Sequence, residues 1–266
     1  MGYYWTFFFY YINRIAPARF LTYFFGFIAN IKHPLIKNFL INSFIKNFAI
    51  NMACVKNQDI SSYKNFNDFF ARELNNSSYF IDSNPLSIIS PAQSMMSHSF
   101  SINSKMKIDF KDFIFDINKF IPKEFQKNAT TSRIFYLSPR DYHRVHAPVS
   151  GKIVYISNYK NELLSVNPAL LKIYPQLLEE NDHCLIIIES NFGYVSVILV
   201  GAMIVGAIKL NKQTTIDSFI EKGAELGYFE LGSTVILITP DNFEYHHHTG
   251  AVQVGMQLGL FRKELL

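Results

Sequence analysis

No aspartate or glutamate occurs before Asp59, so the lysines and arginines of the amino-terminal stretch stand unopposed among Phe, Tyr and Ile. That imbalance suits a surface meeting anionic lipid headgroups. Long apolar runs are also missing: Arg14, Pro17, Arg19, Lys32 and Lys37 interrupt every candidate. A spanning helix needs about 20 consecutive apolar residues, so these segments are expected to lie on a membrane and not to cross it. No positive n-region and no small-residue cleavage site flank the first apolar run, which argues against a secretory signal. The two cysteines, Cys54 and Cys184, are too few and too far apart for a disulfide framework and read as free thiols in a reducing compartment. Arginine-rich runs and nucleic-acid motifs are absent, so no nucleic-acid partner is expected. In Tyr245-His246-His247-His248 adjacent side chains on a strand diverge, and no carboxylate or cysteine sits at zinc-like spacing. No metal is expected.

What is present is a folded composition. The 266 residues are 49% hydrophobic and 16% aromatic, with a mild net charge of +4, enough for one large core or two modest ones. Phe and Ile recur at three and four over Tyr4 to Ile15, Arg19 to Ile31 and Pro34 to Ile50, which predicts helices; Asn67 to Leu74 predicts a short one. The period then changes. Strands are expected at Ile88-Ile89, Lys107 to Phe110, Lys152 to Ile156, Cys184 to Ile188, Tyr194 to Val200 and Val235 to Ile238, with helical interruptions over Phe110 to Phe120 and Ala169 to Glu179. The expected fold class is α+β: membrane-facing helices in residues 1–83, followed by a β-rich domain in 84–266.

Two stretches carry chemistry. Gly232-Ser233-Thr234 stands directly before the apolar run Val235 to Ile238. It reads either as a turn leading into a strand, or as a place where a flexible carbonyl comes within reach of the next hydroxyl and the chain attacks itself. His143 and His146 sit three apart in Asp141-Tyr142-His143-Arg144-Val145-His146, between Pro139 and Pro148, which favours a loop in which the two rings converge. Imidazole suits proton transfer near neutral pH, although many buried histidines only pack.

Leu231-Gly232-Ser233-Thr234, Tyr136 to His146, Leu164-Ser165-Val166-Asn167-Pro168, Val200 to Gly206 and Phe69-Phe70-Ala71-Arg72-Glu73-Leu74 together make the chain resemble the bacterial phosphatidylserine decarboxylase proenzymes. The resemblance implies cleavage between Gly232 and Ser233 into fragments 1–232 and 233–266, with Ser233 becoming a pyruvoyl group. It implies that His146 activates Ser233, that His143 serves the later chemistry, and that Ser165 and Asn167 touch substrate. Phosphatidylserine is the implied substrate, and a homodimer on the cytoplasmic side of the cell membrane, peripherally bound, is the implied setting. The family's Pro-Ala-Asp-Gly segment stands here as Pro91-Ala92-Gln93-Ser94, so Gln93 takes the place of the carboxylate expected to orient His146. In serine proteases the comparable loss slows catalysis about 10⁴-fold. Two rivals follow: an unprocessed, non-catalytic lipid-binding homologue, and a pyruvoyl enzyme acting on a soluble amino acid.

Overall fold

The computed structural model describes residues 18–97, 99–110, 113–127, 129–160, 177–202, 207–230, 233–246 and 249–262. The periodic Phe and Ile residues fold as helices α1 (Ala18–Ala29) and α2 (Pro34–Phe48); the expected helix over Tyr4 to Ile15 lies outside the described residues. Pro34 starts α2 in the first turn, where its missing N–H has no partner to lose. Ala49 ends it in the left-handed region, φ 51°. Asn65 caps α3 (Phe66–Phe70) by accepting the Asp68 N–H at 2.9 Å. Ile41, Phe44, Tyr63, Phe69 and Phe70 make a small core between these helices. Much apolar surface stays outside it: Phe27, Leu35 and Phe39 are 71%, 77% and 70% exposed. Among the described residues no helix is long and apolar enough to cross a membrane.

The remainder is mostly strand. β1 (Ser87–Ile89), β2 (Ser94–Met96) and β3 (Phe100–Ser101) precede a hairpin of β4 (Lys107–Phe110) and β5 (Phe113–Asp116). β6 (Ala129–Leu137), β7 (Arg144–His146) and β8 (Gly151–Tyr159) follow, then a short helix α4 (Leu177–Glu180), β9 (His183–Ser190) and β10 (Gly193–Gly201). β11 (Ala207–Leu210), β12 (Phe219–Ile220), β13 (Glu225–Glu230), β14 (Ser233–Pro240), β15 (Phe243–Tyr245), β16 (Gly250–Val252) and β17 (Gln257–Phe261) complete the fold. The helical interruption expected over Phe110 to Phe120 is corrected to a strand and a 3₁₀ turn at Ile117–Lys119. Its backbone pairs across the hairpin, Ile108 opposite Phe115 in register, and Asp116 caps the turn by accepting the Asn118 N–H. Of the expected helix over Ala169 to Glu179, only the α4 portion falls within the described residues.

Nine strands form one antiparallel sheet along the path β12-β8-β9-β10-β14-β6-β2-β16, with β3 beside β6. β14 lies in its middle, paired over its length to β6 and through Ser233 to Ile238 with β10. Val235 and Leu237 enter one apolar core with Phe135, Val197 and Leu199; Ile236 and Ile238 enter a second on the opposite face with Ile187 and Ile198. An unbroken apolar run is what a strand buried on both faces requires. Leu237 is fully buried, so Leu237→Ala is expected to destabilise the fold by about 2–5 kcal/mol in urea denaturation. Helices and sheet meet through Arg72 and Arg144, and the segment at the expected boundary near residue 83 is tied to the β part by the Asp82 N–H bonded to the Gly255 carbonyl.

Candidate active site

The registers bring together the strands on either side of two connections. Residues 138–143 join β6 to β7, and residues 231–232 join β13 to β14. On one side Leu137 is paired with Ser233 across β6 and β14; on the other, the Phe229 N–H donates to the His143 carbonyl at 3.0 Å. β7 pairs with β13, with His146 opposite Glu225 and Arg144 opposite Tyr228. The histidine loop therefore bridges the stretch that contains the expected cut. Ser233 is the first residue of β14, between Leu137 and Gly201, while Gly232 and the Ser233 side chain lie outside the described residues.

The loop is shaped by its own polar groups. The Asp141 carboxylate accepts from the Ser138 N–H and hydroxyl, both at 2.8 Å. His143 is completely buried against the Phe70 ring, 4.1 Å between centroids, and its Nδ1 meets the Asp141 carbonyl at 2.8 Å. A carbonyl only accepts, so Nδ1 carries the proton and Nε2 keeps its lone pair. That Nε2 is buried with no partner among the described residues. Burial pushes the His143 pKa down to about 3, against the raising effect of the Asp141 carbonyl, with Arg72 lowering it further. His146 follows the same logic: Nδ1 donates to the Gly223 carbonyl at 2.8 Å, and Nε2 accepts from the Tyr142 hydroxyl at 3.1 Å. Burial also lowers its pKa. Both rings are thus neutral bases at pH 7.

A histidine kept neutral by folding titrates more readily once unfolded. Between the unfolded value near 6.5 and the folded value near 3, the unfolded chain binds the extra proton, so stability is full above that window and is lost as pH falls. His143 alone is expected to lower unfolding free energy by up to about 1.4 kcal/mol per pH unit below pH 6. Urea titrations at pH 7, 6 and 5 read the slope.

Gln93 is placed differently from the sequence expectation. Its Oε1 accepts the Tyr142 backbone N–H at 3.3 Å, and both ring nitrogens of His146 have other partners. The group that orients His146 is the Gly223 carbonyl. Gly223 has φ 84°, and a Cβ there would lie 2.8 Å from the Ile81 side chain, so only glycine presents the carbonyl this way. Sequence reasoning missed it, although Lys222-Gly223 is an ordinary turn signal.

Arg72 was also missed as an individual residue. Buried behind α3, it donates through Nη2 to the Arg140 carbonyl at 2.9 Å and to the Asp141 carbonyl at 3.3 Å, the latter shared with His143. Arg144 locks the other end of the loop, giving its Nε–H to Ala71 O at 2.8 Å and pairing with Glu225 at 2.7 Å.

Ser165 and Asn167 lie outside the described residues, as do His98, His247 and His248. His183 is a packing residue, its Nδ1 against the Asn181 carbonyl and its ring stacked on Tyr159. Among the described residues no cluster of three His, Cys, Asp or Glu side chains could hold a metal.

Comparison with known proteins adds to this geometry. A family model described as phosphatidylserine decarboxylase matches residues 66–260, and a second, described as PSD, matches residues 8–49. The chain is 32% identical over 275 residues to the phosphatidylserine decarboxylase proenzyme of Francisella tularensis subsp. novicida, covering 95% of this chain and 97% of that one. The proenzyme of Francisella philomiragia is 32% identical over 273 residues, with the same coverage. The chain belongs to the phosphatidylserine decarboxylase family. The family match takes in both histidines, Ser233, Arg72 and Gly223.

Proposed function

We propose that this family member is a proenzyme that cuts itself before Ser233 and then decarboxylates phosphatidylserine to phosphatidylethanolamine. The observation that supports the reading is the pairing of β6 and β7, the strands on either side of the histidine loop, with β14 and β13, which flank residues 231–232. In the first stage a neutral imidazole, His146 in this reading, takes the Ser233 hydroxyl proton while the oxygen attacks the Gly232 carbonyl carbon. An ester forms, the amide C–N bond breaks, and the nitrogen takes up a proton. Loss of the Ser233 α-proton then expels the Gly232 carboxylate and leaves a dehydroalanine, which water converts to a terminal ketone with release of ammonia.

The pyruvoyl group would be carried by the residue at 233, where it supplies an electron sink for loss of the substrate carboxylate. The surroundings fit it: the Thr234 hydroxyl next to that position is buried without a described partner, and so is His143 Nε2. A neutral His143 cannot start as a proton donor. In our reading its Nε2 takes a proton from the substrate ammonium and returns one to the substrate α-carbon after carbon dioxide has left. Arg72 and Phe70 hold the ring in place for both transfers.

The exposed aromatics of α1 and α2 support a peripheral position on a membrane, the cytoplasmic face being the side a chain with free cysteines suits. A second copy as partner belongs to the same proposal. Purification of the natural chain is expected to give two fragments, 1–232 and 233–266, that travel together natively and part only on denaturation. β14 accounts for this, because removing it would expose ladder groups on two neighbours and apolar surface on two faces. A denaturing mass spectrum showing one intact chain with an unmodified Ser233 would refute the proposal and favour the unprocessed lipid-binding alternative.

A further inference from the structure

His146 has one lone pair to offer, and it is taken. The ring donates through Nδ1 to the Gly223 carbonyl, which leaves Nε2 as its basic atom, and Nε2 accepts the Tyr142 hydroxyl at 3.1 Å. Tyr142 is 3% and His146 4% exposed, so water offers neither of them an easy substitute. The phenol is held from other sides as well. The Tyr142 backbone N–H donates to Gln93 Oε1 at 3.3 Å, and its ring stacks on Tyr79, 6.4 Å between centroids, in the segment that joins the helical part to β1. Tyr79 lies 5.8 Å from the His146 ring, so the three rings form one cluster. Burial raises the Tyr142 pKa, with Arg144 opposing, and the hydroxyl therefore keeps its proton at neutral pH and stays a donor.

In the proposed first stage the Ser233 hydroxyl gives its proton to that same Nε2. Two hydroxyls thus compete for one acceptor, and a nitrogen that already accepts the phenol proton cannot take the serine proton as well. We propose that Tyr142 is a built-in brake on maturation: its hydroxyl occupies the lone pair that Ser233 needs, and the chain cuts itself only while the Tyr142–His146 bond is open. When that bond opens the phenol keeps its proton and Nε2 takes the one from Ser233. The inference rests on the reading of His146 as the base for self-cleavage. His143 shows what an unbraked ring looks like in the same loop: its Nδ1 also meets a carbonyl, but its Nε2 is bare. The brake therefore bears on scission and leaves the later proton transfers untouched.

The test follows full-length chains pulse-labelled in cell-free translation, with the appearance of fragments 1–232 and 233–266 read on denaturing gels. Tyr142→Phe is expected to mature about two- to tenfold faster than the natural chain, the factor that corresponds to one net hydrogen bond. Tyr142→fluorotyrosine keeps the shape but is a stronger donor, so it is expected to mature more slowly. Thermal unfolding checks that the Phe variant is folded, and if it is not, the fluorotyrosine chain still gives the sign. A Phe variant at or below the natural rate, or a fluorotyrosine chain at or above it, overturns the brake. The base assignment is read separately. His146→Asn is expected to leave the chain uncut, and adding Tyr142→Phe to it is expected to gain nothing. A His146→Asn chain that matures at the natural rate refutes His146 as the base in the proposed function, whereas a silent Tyr142→Phe beside an inert His146→Asn removes the brake alone. In the Ser233→Ala chain, where nothing is cut, Tyr142→Phe is expected to move the His146 Nε2 magnetic resonance toward that of an unbonded acceptor; an unmoved signal overturns the contact itself.

Discussion

Ser233→Ala is expected to yield a single 30.7 kDa chain with no decarboxylase activity, however long it is incubated. Only the hydroxyl oxygen is removed, and in the proposed reaction that oxygen is first the nucleophile and then leaves with the Gly232 carboxylate, so without it neither the ester nor the dehydroalanine can form. Position 233 begins a strand paired on both sides, so the backbone there is held by Leu137 and Gly201 irrespective of the side chain. The variant should therefore fold normally, and its urea midpoint should lie close to that of an uncut natural chain. Denaturing gels and a ketone-trapping reagent read the result. Processing of the variant, or decarboxylation by it, would place the chemistry elsewhere.

His143→Asn is expected to cut itself close to the natural rate yet lose about 10²–10⁴-fold in decarboxylation, the usual contribution of one positioned acid–base group. Asparagine is chosen because its amide N–H can reach the Asp141 carbonyl that Nδ1 now meets at 2.8 Å, preserving the loop, while no lone pair replaces Nε2. The loss should fall on kcat, since the imidazole transfers protons and does not grip the lipid. If instead the variant processed slowly and turned over normally once cut, the two histidines would have exchanged roles. The geometry gives that outcome a clear meaning: His143 has the open nitrogen, whereas His146 must first release the Tyr142 hydroxyl.

The sequence made much of this legible, and the exceptions have physical causes. The run Val235 to Ile238 announced a strand covered on both faces, because consecutive β-branched and aliphatic residues have few other uses. The pairing of His143 with residues near the cut was implied by the motifs, but its mechanism, β6 and β7 gripping β14 and β13, is a matter of register that no local pattern encodes. The stretch 110–120 misled because a four-residue hairpin arm gives too short an alternation to outweigh helical spacing. Gln93 was expected on the His146 ring by analogy with a carboxylate; the ring is instead held by a carbonyl, and a carbonyl leaves no trace in the identity of its residue except, here, the glycine that aims it. Arg72 was visible only as part of a motif, since its partners are backbone atoms of a distant loop.

The central place of β14 also fixes an order of events. Its slot is defined by neighbours on either flank, one contributed by residues 129–137 and the other by 193–201. A separately synthesised tail would have to find that narrow gap between edges already prone to join each other. In the proposed reaction assembly therefore precedes scission, and a mixture of the two pieces made apart is expected to remain inert where the continuous chain is expected to mature.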